Sequence, residues 1–367
     1  MISAEESYGG SWEPPLVQTI SSFLKESSSP EGSRNIDGMK SYAGAKELQD
    51  FRRFTGLPLI DISRLLLGED HPERRECERE IAVAARVWGF FQIVNHGIPA
   101  GVMEKMKEEQ KKVFRQPFEV KMAGGGKLHS LGANNYRWGN PMATSPRQVS
   151  WSEAFHIPIT DISRIEDETL RSAIETFANV ATDLTEKIAG ILARDLGAGG
   201  VYFRENCTAR SCYLRMNRYP PCPFSPEILG LVPHTDSDFL TIVFQDGVGG
   251  LQLMRDDGSW AGVFPNPDAL IINIGDLLQA WSNGVYKSVR HRVVASSEEE
   301  RLSMAFFYCP KSDTVIQSCI NPSVYRNFSF REYRLQVQKD VQATGDKVGL
   351  SRFLVQAMET VNTAATQ

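Results

Sequence analysis

The sequence predicts a mainly β protein with added helices: a jelly-roll core of the cupin type, braced by helical segments. Three observations carry that expectation. From Ser211 to Tyr308 the chain breaks into short apolar, β-branched runs divided by Gly, Pro and Asp turns, as in Gln245-Asp-Gly-Val-Gly-Gly-Leu-Gln-Leu253 and the hairpin signal Asp256-Asp-Gly258. Glu166 to Leu196 instead repeats apolar side chains at helical period, from Leu170 and Ile174 through Phe177, Leu184 and Ile188 to Leu192, and Gly197 and Gly199 end it. The length, 367 residues, would permit two average domains, but β-rich chains of this size are often one unit with a large core.

In chain order, residues 1–50 are rich in Ser, Gly, Pro and Glu and are expected to be mostly disordered, with one docking helix possible over Leu16 to Leu24 after Ser11-Trp-Glu-Pro-Pro15. Leu57 to Ile62 is expected as the first strand. Pro72 to Val87 reads as a helix with Ile81, Ala84 and Ala85 on its apolar side. Gly89 to Val94 reads as a strand, ended by the turn Asn95-His-Gly97, and Pro99 to Phe114 as a charged helix. His96 is expected to be a turn histidine satisfied by backbone, and His129 an exposed residue without a partner. Ser211 to Tyr219 alternates as a strand until Pro220 and Pro221 close it. Phe330 to Met358 reads as two capping helices around Gly345.

Composition excludes several classes. Apolar residues make up 41% and charged residues 23%, ordinary for a globular protein, and a net charge of −5 without a basic block gives no reason to expect nucleic-acid binding. The six cysteines are sparse and form no Cys-x-x-Cys pair, so reduced thiols of a cytoplasmic protein are expected (a nuclear location stays open), not a disulfide framework or a zinc site. The first residues lack the features of a secretory signal, and no apolar stretch nears the roughly 20 residues of a membrane span.

The clearest chemistry lies in Leu231-Val-Pro-His-Thr-Asp236. In extended chain, His234 and Asp236 point to one side, which suits two cis ligands of one metal ion. His291, in the strand-like run Tyr286 to Val294, is the best third ligand. Two His and one carboxylate with open positions is the arrangement of non-haem Fe(II) oxygenases. Alone, the pair could equally be a hydrogen-bonded His–Asp at a turn. Asp246, Asp256, Asp257 and Asp276 also offer carboxylates, but each sits at a turn where Asp serves local hydrogen bonds.

A second signal stands in Arg301-Leu-Ser-Met-Ala-Phe-Phe-Tyr308. Both faces of this strand are largely apolar, so Arg301 is expected to be buried. A buried arginine is costly unless it meets an anion, and no acid stands at pairing spacing within the strand. A guanidinium flanked by the Ser303 hydroxyl suits a carboxylate, held by forked charge-assisted bonds.

These motifs together resemble the plant Fe(II)- and 2-oxoglutarate-dependent dioxygenases. His234-Thr-Asp236, His291 and Arg301-Leu-Ser303 resemble that family's iron and co-substrate signature. Asn217-Arg-Tyr-Pro-Pro-Cys222 is similar to its segment before the metal strand, and Val87-Trp-Gly-Phe-Phe-Gln-Ile-Val-Asn-His-Gly-Ile-Pro99 to its N-terminal signature. Trp151-Ser-Glu-Ala-Phe-His-Ile-Pro158 resembles the gibberellin 2-oxidases acting on carbon-20 precursors. The resemblance implies a double-stranded β-helix; a 57–165 N-terminal domain, a 166–205 bracing helix, a 208–312 catalytic barrel and 328–367 C-terminal helices. It implies Fe(II) on His234, Asp236 and His291, and 2-oxoglutarate on Arg301, Ser303, Asn217 and Tyr219, with Arg301 the key catalytic-site cation. It further implies O2 and a gibberellin as substrates, hydroxylation at carbon 2, and ascorbate as reductant.

Residues for the substrate are less defined. Tyr136, Arg137 and Arg147 are candidates for its carboxylate by position and chemistry, and Trp151 and Phe239 for the pocket wall. His156 reads as a packed or hydrogen-bonded strand residue, not a ligand. Three other readings stay open: a zinc hydrolase, which gives no reason for Arg301 with Ser303; a hormone-binding module without catalysis; and another plant dioxygenase, acting on a flavonoid or another gibberellin position.

Overall fold

The computed structural model describes residues 11–18, 54–140, 143 and 148–355. In chain order the described strands begin with β1 (Phe54–Thr55), β2 (Leu59–Asp61), β3 (Phe90–Val94), β4 (Tyr136–Trp138) and β5 (Glu153–Pro158). There follow β6 (Tyr213–Tyr219), β7 (Leu231–His234), β8 (Leu240–Gln245), β9 (Leu251–Met254) and β10 (Trp260–Val263). The last are β11 (Leu270–Ile274), β12 (His291–Val293), β13 (Arg301–Tyr308), β14 (Val315–Ile316) and β15 (Phe328–Ser329).

Two sheets form the core, a five-stranded one in the order β1-β10-β9-β12-β7 and an eight-stranded one in the order β2-β3-β11-β8-β13-β6-β5-β4. Strands from the N-terminal segment thus extend both edges of the sheet that β6, β8, β11 and β13 build. The non-consecutive order is that of a jelly roll. Alternation along each strand splits the eight-stranded sheet into two faces. Its outer face, with Met216, Ile242, Phe244, Met304 and Phe306, packs into one large cluster with the helices. Its inner face meets the five-stranded sheet through Phe90, Tyr219 and Ile271 against Leu251, Leu253 and Val293. The inner face is where polar side chains gather.

The brace is the Glu168–Asp195 helix, capped at its start by the Asp167 carboxylate, which accepts from the Leu170 N–H at 3.0 Å. Its buried stripe packs on the Pro72–Val87 and Ala100–Phe114 helices. Gly89 shows why the turn into β3 needs glycine: its φ is +63°, and a Cβ there would strike the Lys287 carbonyl.

Several boundaries differ from expectation. The strand expected from Leu57 to Ile62 covers only Leu59–Asp61 (β2) and is preceded by the two-residue β1; it ends early because the Asp61 carboxylate accepts from the Ser63 N–H (2.9 Å) and starts a 3-10 turn over Ile62–Leu66. The run before His291 is not strand: the Lys287 N–H pairs with the Ala85 carbonyl and the Ser288 N–H with Gln279 Oε1, so its backbone is spent outside the ladder. After the Phe330–Thr344 helix, left-handed Gly345 leads to a short 3-10 turn, Gly349–Phe353, rather than to a second full helix; residues 356–358 lie outside the described residues. His96 does accept from a backbone N–H, that of Ile98 at 3.2 Å. His129 is exposed as expected but not alone, bonding the Gly126 carbonyl at 2.8 Å and Glu166 at 3.1 Å.

The N-terminal segment 11–18 is docked and turns helical at Pro15, where the sequence allowed a docking helix; the rest of 1–50 lies outside the described residues. Trp12 is clamped between the guanidinium groups of Arg115 and Arg218, 4.2 Å from each. Glu13 pairs with Arg218 at 2.7 Å. Behind it lies a buried charge cluster in which Glu153 joins Lys121 (2.6 Å) and Arg218 (2.5 Å), all three at most 1% exposed. Every charge there has an opposite partner, as burial requires.

Candidate metal and co-substrate site

Pairing of β7 with β12 sets His234 directly opposite His291, their ring centres 4.3 Å apart. Phe90 packs edge-on against His291 at 5.2 Å and holds its plane. Each imidazole bonds through Nδ1 to a carbonyl two residues back, His234 to Val232 (2.8 Å) and His291 to Val289 (3.1 Å). A carbonyl can only accept, so Nδ1 carries the proton and Nε2 presents its lone pair. Both Nε2 atoms face Asp236 Oδ1, at 3.8 Å and 3.6 Å.

Asp236 lies just past the strand, not on it, because β7 ends at His234. The turn is pinned by backbone bonds from Asp276 and Leu277 to the carbonyls of Asp236 and Asp238, each 3.0 Å. Lys347 Nζ adds bonds to the Thr235 carbonyl and Ser237 Oγ, both 2.8 Å. Asp236 Oδ2 accepts from Thr241 Oγ1 (2.7 Å) and Asn273 Nδ2 (3.1 Å), which leaves Oδ1 to converge with the imidazoles.

Electrostatics keep His234 and Asp236 in ligand form. Burial, with His291 close by, pushes His234 down to about 3, so it is neutral near pH 7. Burial alone would raise Asp236, but the two imidazoles and the bonds from Thr241 and Asn273 outweigh it and hold its carboxyl below the usual range. Donor atoms of His234, Asp236 and His291 all lie within 4.8 Å of one another, and among the described residues no other such group exists. Two imidazole nitrogens and one ionised carboxylate oxygen fit a divalent first-row metal with open positions. The other acids have separate tasks: Asp246 accepts from the Leu302 N–H (2.5 Å), Asp257 from Ser259, and Asp276 heads the short Asp276–Trp281 helix and takes Thr235 and Lys347.

Arg301 stands on the same inner face and is 1% exposed. Its amino groups donate to Gln245 Oε1 (2.9 Å) and Ser303 Oγ (3.3 Å), and its Nε–H has no partner. The guanidinium lies 4.8 Å from the Tyr219 ring centre. Asn217 reaches Ser303 Oγ at 3.5 Å, while Gln110 bonds the carbonyls of both Asn217 and Ser303 at 2.9 Å and so locks β6 to β13. A buried cation with an orphaned N–H and no described carboxylate fits a co-substrate carboxylate.

The structure thus gathers His234, Asp236, His291, Asn217, Tyr219, Arg301 and Ser303 on one inner surface. It separates others. Tyr136 turns to the outer face, its hydroxyl donating to Glu153 Oε2 (2.5 Å), because the alternate residue Arg137 takes the inner side of β4. Trp151 is fully buried beside Trp138 and donates to the Pro221 carbonyl (3.3 Å). Phe239 is fully buried against Phe203. Tyr136, expected at the substrate carboxylate, and Trp151 and Phe239, expected in the pocket wall, are thus buried in side-chain packing. Arg147 lies outside the described residues. The sequence reading missed Gln245, Thr241, Asn273, Gln110 and Lys347, and also Arg215, which the same alternation that marked Asn217 and Tyr219 would have found.

A jelly roll whose inner wall carries two imidazoles, one carboxylate and an uncompensated arginine defines a non-haem metal oxygenase that takes a carboxylate co-substrate. Comparison with known proteins agrees. Residues 209–310 match the 2OG-Fe(II) oxygenase superfamily, and residues 57–177 match the family described as non-haem dioxygenase in morphine synthesis N-terminal. Gibberellin 2-beta-dioxygenase 8 of Arabidopsis thaliana is 56% identical over 81% of this chain and 87% of its own. Gibberellin 2-beta-dioxygenase 6 of Oryza sativa subsp. japonica is 48% identical over 81% and 84%. The crystal structure of JOX2 in complex with 2OG, Fe and JA superposes with a TM-score of 0.69 at 32% identity, covering 85% of this chain and 92% of that one. The chain belongs to the 2OG-Fe(II) oxygenase superfamily and is a 2-oxoglutarate-dependent dioxygenase that uses Fe(II), O2 and a small-molecule substrate. No described helix is long and apolar enough to cross a membrane.

Proposed function

We propose that this enzyme hydroxylates gibberellins at carbon 2 on the β face, carbon-20 precursors above all, and so inactivates the hormone. The observation that carries this reading is the identity gap: relatives named as gibberellin 2-beta-dioxygenases share 42–56% of residues, whereas a flavanone 3-dioxygenase shares 33%.

In this reading His234, Asp236 and His291 hold Fe(II). The distal carboxylate of 2-oxoglutarate meets Arg301 and Ser303, with Asn217 and Tyr219 beside it. Iron and co-substrate supply dioxygen activation, with 2-oxoglutarate decarboxylated to succinate and CO2 while a C–H bond becomes C–OH. The chain's own work is placement. Asp236 stays ionised because the two imidazoles face it and Thr241 and Asn273 donate to it. Nδ1 bonds fix both imidazole planes before any ligand arrives, so little reorganisation remains. Arg301, sealed from water, fixes one end of the co-substrate and so its orientation. Ascorbate is the expected reductant, and the six unpaired thiols suit the cytoplasm.

The test is turnover of a panel of carbon-20 and carbon-19 gibberellins with Fe(II), 2-oxoglutarate and ascorbate, read by mass spectrometry. A 2-hydroxylated gibberellin matched by succinate supports the reading. Succinate without a hydroxylated gibberellin removes the hormone and keeps the dioxygenase.

A further inference from the structure

The inner wall carries a second basic group, apart from Arg301, that the reaction described so far does not use. Pairing sets Arg215 of β6 opposite His156 of β5, and Arg137 of β4 opposite Ala154, which itself faces Asn217. Facing and diagonal side chains on one sheet face lie within about 5–8 Å. Two guanidinium groups and an imidazole therefore share one patch, on the β4–β5 flank of the site. Arg215 is committed only through Nε, which donates to Asn217 Oδ1 at 2.7 Å. A guanidinium has further N–H donors on its two amino groups, and here no described carboxylate pairs with them. Arg137 makes no ion pair and His156 no hydrogen bond with a described residue. Their proximity registers electrostatically: burial, then Arg215 and Arg137, drive His156 down to about 3, and burial lowers Arg215. The contrast with Arg218 is direct, since that arginine, on the outer face of the same strand, has three carboxylate partners.

We propose that Arg215, Arg137 and the imidazole of His156 form the receptor for a carboxylate of the substrate, while Arg301 holds the co-substrate. This inference rests on the gibberellin reading and specifies it, because a diterpenoid acid presents such a group on a rigid apolar frame. Arg215 stands four residues from Tyr219, the pairing partner of Arg301, or roughly 13 Å along β6 at about 3.3 Å per residue. Two carboxylates can then be bound at once without sharing a cation. Tyr213, stacked on Phe307 at 4.5 Å, lies on the next row and offers the frame an apolar wall.

The experiment is anaerobic calorimetry of the protein with Fe(II) and 2-oxoglutarate, titrated with a turned-over gibberellin and with its methyl esters, in wild type, Arg215→Gln, Arg215→Lys and Arg137→Ala. Loss of a charge-assisted bond predicts Kd raised about tenfold to a hundredfold for one ester in wild type and for the acid in Arg215→Gln. Arg215→Lys should recover part of it, Arg137→Ala should weaken the acid, and the Kd of 2-oxoglutarate should move less than about twofold in all. In Arg215→Gln, acid and ester should bind alike. Equal Kd for acid and every ester in wild type would overturn the receptor, and needs no folded variant. So would an acid Kd unchanged in Arg215→Gln and Arg137→Ala. Wild type that hydroxylates no gibberellin at all overturns the substrate reading first and the receptor with it, a result distinct from turnover without acid preference.

Discussion

Arg301 and Tyr219 are direct partners across β13 and β6, and the guanidinium of the one lies 4.8 Å from the ring of the other. The ring supplies a flat, dry floor, and Ser303 and Gln245 take part of the guanidinium edge. What is left is an anion slot of fixed geometry.

Arg301→Ala should raise the KM for 2-oxoglutarate about thirtyfold or more, the scale of a lost charge-assisted pair, and change the KM of the hydroxylated substrate far less. Arg301→Lys should fall between, since an ammonium cannot fork. Initial rates at varied co-substrate check this. An unchanged co-substrate dependence would remove Arg301 from its role.

Thr241 acts one step behind the metal ligands, because its hydroxyl bonds both Asp236 (2.7 Å) and Asp238 (2.8 Å). Asp238 is 1% exposed, and burial with the Asp236 charge raises its pKa well above normal. Thr241→Val should weaken Fe(II) affinity about tenfold to a hundredfold, the usual cost of losing such a support, while His234→Ala should abolish stoichiometric iron binding. Equilibrium dialysis against Fe(II) under nitrogen measures both.

The docked N-terminal segment should matter for stability and not for substrate affinity. Removing one partner of a buried ion pair costs about 3–5 kcal/mol, so Glu153→Ala, which strands Lys121 and takes one of the three carboxylates from Arg218, should lower the unfolding midpoint sharply. Trp12→Ala removes two cation–π contacts without stranding a buried charge and should cost about 1–2 kcal/mol. Urea titrations rank the two; a larger loss in Trp12→Ala would contradict the charge-cluster account.

His156 gives a pH signature. Its folded pKa, about 3, lies below the ordinary 6.5, so the unfolded chain binds the proton first. Stability from this group is therefore full above pH 6.5 and lost as pH falls from 6.5 toward 3, with a slope of at most about 1.4 kcal/mol per pH unit. His156→Gln should flatten the stability profile in that window. Urea midpoints at pH 6.5, 5.5 and 4.5 would show the change, and parallel profiles would refute it.

Much of this was legible in the sequence, for physical reasons. The period of Glu168–Asp195 and the alternation of Arg301–Tyr308 are set by burial on one stripe or two faces, and the elements follow closely. The gathering of His234, Asp236 and His291 with a buried Arg301 was legible because few chemistries need a buried arginine beside a His-x-Asp. The packing of Tyr136, Trp151 and Phe239 was not legible, because an aromatic side chain reads the same whether it lines a pocket or fills a core. Which sheet face it takes depends on register, and β4 is only three residues long. The clasp at Trp12 was hidden because its partners, Arg115 and Arg218, lie more than a hundred positions away.

The most direct measurement is turnover of a carbon-20 gibberellin under oxygen-18 gas with 2-oxoglutarate and Fe(II). The expected result is a 2-hydroxylated product and succinate in equal amounts, with label from the gas in both. A hydroxyl drawn wholly from water, or product formed without succinate, would contradict it.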